Sequence, residues 1–140
     1  MQIAFLDTNI LLENIINPRF QARFLELSSE YEIVIHESAL LELGNLTKKY
    51  FGSRIASKII RTLIATYRIY PQSLEDIQPA LAIMDKYDFN KPNKDYTLTD
   101  CLMLHCADKQ LTTLISMDFE MSLYQFKQGE FLHIRLSDTQ

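Results

Sequence analysis

The chain has 140 residues, of which 47% are hydrophobic and 23% charged, as is typical of one globular domain with a buried core. No apolar run approaches the roughly 18 residues that cross a bilayer. Asp7 lies where a signal peptide would have its uninterrupted apolar segment, which argues against a signal peptide. We therefore expect a soluble, cytoplasmic protein. The net charge of −4 argues against a protein that coats nucleic acid without specificity.

The order of apolar and polar residues predicts strands that alternate with helices. The predicted strands are short and mostly apolar, and they are 3–6, 32–35, 67–70, 112–115 and 131–136. The predicted helices are 9–16, 18–28, 37–50, 54–66, 74–87 and 98–109, followed by a short helix from about Asp118. A polar loop is expected at 88–96. Cys101 and Cys106 have neither zinc nor CxxC spacing, which predicts two buried thiols.

Two helix starts are predicted from capping residues. Ser53 is the expected N-cap of the fourth helix, and Ser73–Asp76 resembles a capping box at the start of the fifth. The fourth helix carries an apolar stripe that we expect to face the core: Ile55, Ile59, Ile60, Leu63 and Ile64.

Apolar strands that alternate with helices indicate an α/β fold. We predict a three-layer α/β/α sandwich with a mainly parallel central sheet, in a single domain that spans 1–140. In such sheets, ligands bind at the carboxyl ends of the strands, near the point where the strand order reverses. Asp7 directly follows the first predicted strand, so its carboxylate is expected at this edge.

Three further acids interrupt apolar patterns in a similar way. Glu42 lies within a helix beside its apolar stripe, Asp100 lies in the first turn of an apolar helix, and Asp118 follows a strand. The predicted topology brings these acids and Asp7 to one edge of the sheet. Clustered acids repel one another and are costly to desolvate, and Mg²⁺ or Mn²⁺ removes that penalty because both ions prefer oxygen ligands. Four converging carboxylates therefore indicate metal-dependent phosphoryl chemistry.

Each acid also has a purely structural explanation, which the residues alone leave open. Asp7 and Asp118 fit the N-caps of the helices that follow them. Asp100 is the fourth residue of a capping box that begins at Thr97. Glu42 fits an exposed position on a helix.

Three segments, in the same order, resemble the signature of the PIN (PilT N-terminus) domain ribonucleases. They are FLDTNILLE at 5–13, VIHESALLELGNL at 34–46, and YTLTDCLML at 96–104 with LTTLISMDFEM at 111–121. The resemblance implies that the catalytic, metal-binding acids are Asp7, Glu42, Asp100 and Asp118. It also implies that Asn9 steadies Asp7 and that Ser116 takes the place of the family's Thr or Ser hydroxyl. Many members continue with a second acid or a His and then an aromatic residue, where this chain has Phe119-Glu120-Met121, so the role of Glu120 stays open.

The resemblance implies a PIN-like fold and hydrolysis of RNA with Mg²⁺ or Mn²⁺. Small members are most often VapC-like toxins of type II toxin–antitoxin pairs, which implies a homodimer and an antitoxin protein that covers the cleft. The alternatives are a catalytically silent PIN-like module that binds RNA or protein, and an RNA-processing nuclease without an antitoxin. A DNA-directed nuclease ranks lower, because the chain lacks the large insertions expected for threading a DNA flap.

One segment carries a local positive charge. Residues 43–74 contain no acid, whereas Arg54, Lys58 and Arg61 repeat there at helical spacing, with Lys48 and Lys49 nearby. This pattern fits a solvated helix face, a surface that binds the RNA backbone, or a surface that receives an acidic antitoxin segment. Several tyrosines could stack on bases, although packing in the core or at its rim is expected to be their main role.

Overall fold

A computed structural model of the chain describes residues 1–87 and 96–135. The predicted loop at 88–96 lies outside these ranges except for Tyr96, and so does Leu136 of the last predicted strand. Within them, no helix has the length and hydropathy needed to span a membrane.

The described residues form one parallel five-stranded sheet flanked by helices. The strands are β1 (Gln2–Leu6), β2 (Tyr31–His36), β3 (Arg68–Tyr70), β4 (Thr113–Ser116) and β5 (Glu130–His133). Their order in space is β3-β2-β1-β4-β5, and every pairing between them is parallel. The helices are α1 (Thr8–Ile16), α2 (Phe20–Glu30), α3 (Glu37–Phe51), α4 (Ser53–Thr66), α5 (Leu74–Tyr87) and α6 (Leu98–Lys109), and a short 3₁₀ helix follows at Phe119–Leu123. The predicted α/β sandwich around a parallel sheet is confirmed.

The strand order reverses between β1 and β4. The chain moves outward from β1 through β2 to β3, then crosses back to β4 and β5. Because parallel crossovers are right-handed, α1 to α4 cover one face of the sheet and α5 and α6 cover the other, in agreement with the contacts among α1, α2 and α3 and between α5 and α6. Leu6 pairs with Ile115 at the reversal, so β1 and β4 end side by side.

The central strands are apolar on both faces because helices cover both faces of the sheet. Phe5, Ile35 and Ile115 are at most 1% exposed. Most of α6 is buried as well, including both cysteines, which are free thiols as predicted. This helix therefore forms much of the core on its side of the sheet.

Helix α4 differs from its predicted form in two respects. Its N-cap is Gly52 and not Ser53, because the chain turns there with φ of 85°, a conformation that favours glycine. The expected core stripe is only partly buried, with Ile55 49% and Ile64 54% exposed. Helix α4 packs mainly against α3 and not against the sheet, so much of its apolar surface faces outward.

Helix α5 begins at Leu74 as predicted, but its cap differs from the prediction. Ser73 accepts a hydrogen bond from the backbone N–H of Glu75, at 3.2 Å. Asp76 does not complete a capping box; its carboxylate points to α6, where it bonds to Lys109 Nζ at 3.0 Å and His105 Nε2 at 3.1 Å. A buried carboxylate gains more from a cationic partner on a neighbouring helix than from one exposed backbone N–H.

Candidate active site

Asp7 joins the end of β1 to the start of α1 and is 4% exposed. Its Oδ1 accepts from the backbone N–H of Thr8 at 2.8 Å, which caps α1. Its Oδ2 accepts from the Ser116 hydroxyl at 2.5 Å. Burial, and next the negative charge of Asp100, outweigh these two bonds and raise the pKa of Asp7 to about 7, with a smaller effect from Glu42. The surroundings therefore do not compensate this buried carboxylate for its lost hydration.

Asp100 occupies the first turn of α6, where the predicted capping box is present. The backbone N–H of Thr97 donates to Asp100 Oδ2 at 3.1 Å, and the N–H of Asp100 donates to Thr97 Oγ1 at 3.1 Å. Burial raises the pKa of Asp100, and the charges of Glu42 and Asp118 add to this rise, which the bonds to Thr97 only partly oppose. Helix capping and acid clustering are thus simultaneous roles of the same carboxylate.

The Ser116 hydroxyl connects Asp7 to Asp118. It donates to Asp7 and accepts from the backbone N–H of Asp118 at 2.9 Å and from Asn9 Nδ2 at 3.3 Å, which uses its one donor and two acceptor positions. Asn9 Oδ1 also accepts from the backbone N–H of Met117 at 3.2 Å. Asn9 therefore supports Asp7 through its hydrogen bond to Ser116.

Asp118 follows β4, and its Oδ1 caps the 3₁₀ helix by accepting from the backbone N–H of Glu120 at 3.0 Å. Tyr96 lies beside it, donating its hydroxyl proton to the carbonyl oxygen of Glu120. Burial, followed by the charges of Asp118, Glu120 and Asp100, raises the pKa of Tyr96 to about 12. The sequence predicts packing or base stacking for this tyrosine, because nothing in its local pattern places it next to the acids.

The donor chemistry of this edge suits a hard cation, since every candidate ligand is a carboxylate oxygen. Within residues 1–87 and 96–135, no three carboxylate, imidazole or thiol groups lie close enough to hold one ion together. The acids influence one another's pKa, so they are neighbours, but they do not form a ready coordination shell. Because carboxylates repel one another without a counter-ion, we expect a cation to draw these side chains closer.

A cleft of about 370 Å³ opens beside Glu42. Its lining combines apolar and polar side chains: Ser38, Leu41, Glu42, Asn45, Gln72, Leu98, Thr99 and Leu102. Of the five polar side chains, the sequence predicted only Glu42 as a site residue. Gln72 and Thr99 come from the loop after β3 and from α6, so no pattern on α3 could have indicated them. A signal existed for the other two, since Ser38 precedes Glu42 by four residues and Asn45 follows it by three, on the same face of α3.

The predicted RNA-binding residues are all exposed and lie on one helical hairpin, in the last part of α3 and in α4: Lys48, Lys49, Arg54, Lys58 and Arg61. Lys48 and Arg61 line a second cleft of about 370 Å³, between α3 and α4. None of the four acids lines that cleft. RNA binding by this surface stays a prediction.

No family model and no curated protein matches the sequence. Solved structures do match. A toxin–antitoxin complex from Klebsiella pneumoniae is 22% identical, with a TM-score of 0.61, over 82% of this chain and 86% of that chain. DNA-bound VapBC from Salmonella typhimurium is 15% identical, with a TM-score of 0.70, over 95% and 98% of the two chains.

The third comparison is the Mycobacterium tuberculosis toxin VapC20, which cleaves the sarcin–ricin loop. It is 16% identical to this chain, with a TM-score of 0.69, over 89% of this chain and 97% of that one. Identities this low establish a shared architecture. The resemblance seen in the motifs is thereby confirmed in three dimensions, and the chain has the fold of the PIN-domain VapC toxins.

Proposed function

We propose that this protein is a Mg²⁺- or Mn²⁺-dependent endoribonuclease and the toxin of a type II toxin–antitoxin pair. The observation that carries the proposal is Asp7, buried where the strand order reverses, with its pKa raised to about 7 by burial and by neighbouring acids. A bound cation would offset the cost of burying and clustering these carboxylates, which would explain why the acids lie together. The fold, shared with solved toxin structures, supports the same assignment.

The ion would be held by the oxygens of Asp7, Glu42, Asp100 and Asp118. When bound, such an ion polarises a phosphoryl oxygen and lowers the pKa of a coordinated water. Three of these ligands are restrained before an ion binds, because Asp7, Asp100 and Asp118 each use one carboxylate oxygen as a helix cap. Hydrogen bonds through Ser116 and Asn9 hold the turn after β4 against Asp7. They thereby keep Asp7 and Asp118 close to each other.

The first test compares Asp7→Asn with the unchanged protein in cleavage of a labelled RNA with Mg²⁺ or Mn²⁺. We expect a rate loss of at least about 100-fold, because the amide cannot supply a second anionic ligand oxygen. Asp85→Asn is the matched control, since Asp85 is an exposed carboxylate on α5 and should tolerate the change. Undiminished cleavage by Asp7→Asn would remove Asp7 from the reaction.

Metal titration separates the enzyme from a catalytically silent module. Isothermal titration of the protein with Mn²⁺ should show binding that Asp7→Asn and Asp100→Asn weaken and Asp85→Asn leaves unchanged. Absence of binding at millimolar Mn²⁺ would favour a module that only binds RNA or protein.

The toxin role depends on a partner and has its own test. Induced expression of the chain should arrest bacterial growth, and Asp7→Asn should relieve the arrest. We expect the reading frame immediately upstream to encode a small antitoxin. When co-expressed, this protein should restore growth and should co-purify with the chain. Nuclease activity without such a partner would favour an RNA-processing enzyme instead.

We further propose that two copies of the chain associate through the α3–α4 hairpin. Its exposed apolar side chains include Ile55 and Ile64 of α4 and Tyr50 near the end of α3. Exposed apolar side chains gathered on one hairpin commonly mark an interface between subunits. Light scattering should report a dimer, and Ile64→Lys should shift it toward the monomer, whereas Thr66→Lys, on the same exposed helix, should not.

A further inference from the structure

We propose that the cleft beside Glu42 binds one unpaired base of the substrate RNA, and that Gln72 and Asn45 select its identity. The inference rests on the proposed nuclease function and adds how the enzyme chooses where to cut.

Three leucines line the cleft, and two of them are exposed. Leu102 is 2% exposed and belongs to the hydrophobic core, whereas Leu41 is 64% and Leu98 36% exposed. Leu41 and Leu98 come from different helices, α3 and α6, and line the same cleft. Two exposed leucines at one opening can enclose a flat apolar ring between them. The volume of about 370 Å³ falls in the range of small-ligand sites.

Gln72 is held in place before any ligand arrives. The Ser38 hydroxyl donates to Gln72 Oε1 at 2.5 Å, and the backbone N–H of Gln72 donates to Glu37 Oε1 at 2.9 Å. Ser38 is itself fixed, since its backbone N–H donates to His36 Nδ1 at 3.0 Å. With its carbonyl oxygen occupied, the Gln72 side chain presents its amide N–H groups to an acceptor on a base. A donor that is already oriented loses little entropy on binding.

The charge of the cleft argues for a base and against a phosphate. No lysine or arginine is among its lining residues, and Glu42 contributes a carboxylate. A phosphate group would be repelled there, whereas a neutral base with hydrogen-bonding edges would not. Asn45 adds a second amide, and an amide can both donate to and accept from the edge of a base.

The position of the cleft places this base next to the reacting phosphate. Glu42 belongs both to the cleft and to the four acids, and Thr99 of the cleft directly precedes Asp100. A base that inserts between leucine side chains cannot remain paired with another strand, so the substrate at this point must be single-stranded. The cleft would therefore read one base adjoining the cleaved bond.

The experiment measures cleavage of an RNA pool randomised around one site, followed by sequencing of the ends. Gln72→Leu keeps the size of the side chain and removes its donors. We expect the cleavage ratio between the most and least favoured base at one position to fall about tenfold, the value of one hydrogen bond. Asn45→Leu should change the same position. Gln21→Leu, an exposed glutamine on α2 outside the cleft, is the matched control and should leave the ratio unchanged.

A base preference that Gln72→Leu and Asn45→Leu leave intact would overturn the inference while leaving the nuclease function in place. Thermal unfolding of each variant tests whether a loss of base preference is caused by unfolding of the protein.

A second measurement does not need nuclease activity. The four ribonucleosides are added to the metal-free protein while the side-chain amide signals of Gln72 and Asn45 are followed by NMR. Shifts that differ between the bases, and that Gln72→Leu abolishes for Asn45, support the inference even if the chain cleaves no RNA. Absence of shifts at millimolar nucleoside would overturn it, as would shifts caused only by an arginine-containing peptide, which would indicate a protein partner in the cleft.

Discussion

Asp7 and Asp108 are almost equally buried, at 4% and 7% exposed, yet their pKa values move in opposite directions. Burial raises the pKa of each. Around Asp108, hydrogen bonds from the backbone N–H groups of Gly129, Gln128 and Lys127 outweigh burial and lower the pKa below its ordinary value. Around Asp7, only two hydrogen bonds lower the pKa. Burial and the charges of Asp100 and Glu42 outweigh them, so the pKa is raised.

Asp76 resembles Asp108 in being buried and having a lowered pKa. It is 1% exposed, and burial alone would raise its pKa, but Lys109, His105 and Cys106 bond to it and lower the pKa overall. Both carboxylates fasten parts of the fold together, Asp76 joining α5 to α6 and Asp108 holding residues 124–129. The comparison teaches that burial of an acid does not by itself raise its pKa; burial without sufficient donors does.

The largest difference should appear in activity. Asp100→Asn should reduce metal-dependent RNA cleavage at least about 100-fold. It should change the free energy of unfolding by less than about 1 kcal/mol, because the asparagine Oδ1 can still accept the hydrogen bond from the Thr97 N–H. Asp76→Asn should do the reverse, keeping cleavage while destabilising the fold by about 1–3 kcal/mol. RNA cleavage and urea unfolding of both variants test this. Equal loss of activity in both would abolish the distinction between the two groups of acids.

The next effect concerns the bonds around Asp108. Asp108→Ala should lower the free energy of unfolding by about 3 kcal/mol, because it removes the acceptor of three backbone N–H groups and of the Tyr124 hydroxyl. Asp108→Asn keeps one acceptor oxygen and should lose less. Urea denaturation measures both, and a loss below 1 kcal/mol for the alanine variant would contradict the role given to Asp108.

Asp7 should behave in the opposite way. In the metal-free protein at pH 8, Asp7→Asn should raise the free energy of unfolding by about 1–3 kcal/mol, because it removes a buried charge whose pKa is raised to about 7. Excess Mn²⁺ should reverse the order by stabilising only the unchanged protein. An unchanged or lower stability of metal-free Asp7→Asn would show that its surroundings already compensate the carboxylate.

The smallest effect is the dependence of that gain on pH. Folding raises the pKa of Asp7 from its ordinary value of 3.8 to about 7. The folded state therefore loses stability as pH rises between these two values, because the buried carboxyl group becomes ionised. The advantage of Asp7→Asn should therefore be absent below pH 4 and complete above pH 7. The lowered pKa of Asp108 has the opposite sign, and its contribution should be lost only as pH falls below 3.8. Unfolding curves across pH for the two variants measure both profiles.

Much of the fold was predictable because local patterns and tertiary packing agree. All the strands and helices were expected within a few residues, and the limits of α6 at Leu98–Lys109 were exact. The burial of the α4 stripe was predicted wrongly, since an apolar stripe does not reveal which surface will cover it. Ser73–Asp76 was wrong for a related reason, because a capping pattern does not reveal that Lys109 and His105 lie within reach.

The sequence by itself determined the alternation of strands and helices, the acid at the end of β1 and the cap that begins α6, because these depend on neighbours a few residues apart. Only the tertiary structure decided which acids are compensated and which are not. Donors from residues 127–129 reach Asp108, and Asp100 faces Asp7, across separations along the chain that no local pattern records. The cleft beside Glu42 arose in the same way, from side chains of α3, α6 and the loop after β3 that meet only in the folded chain.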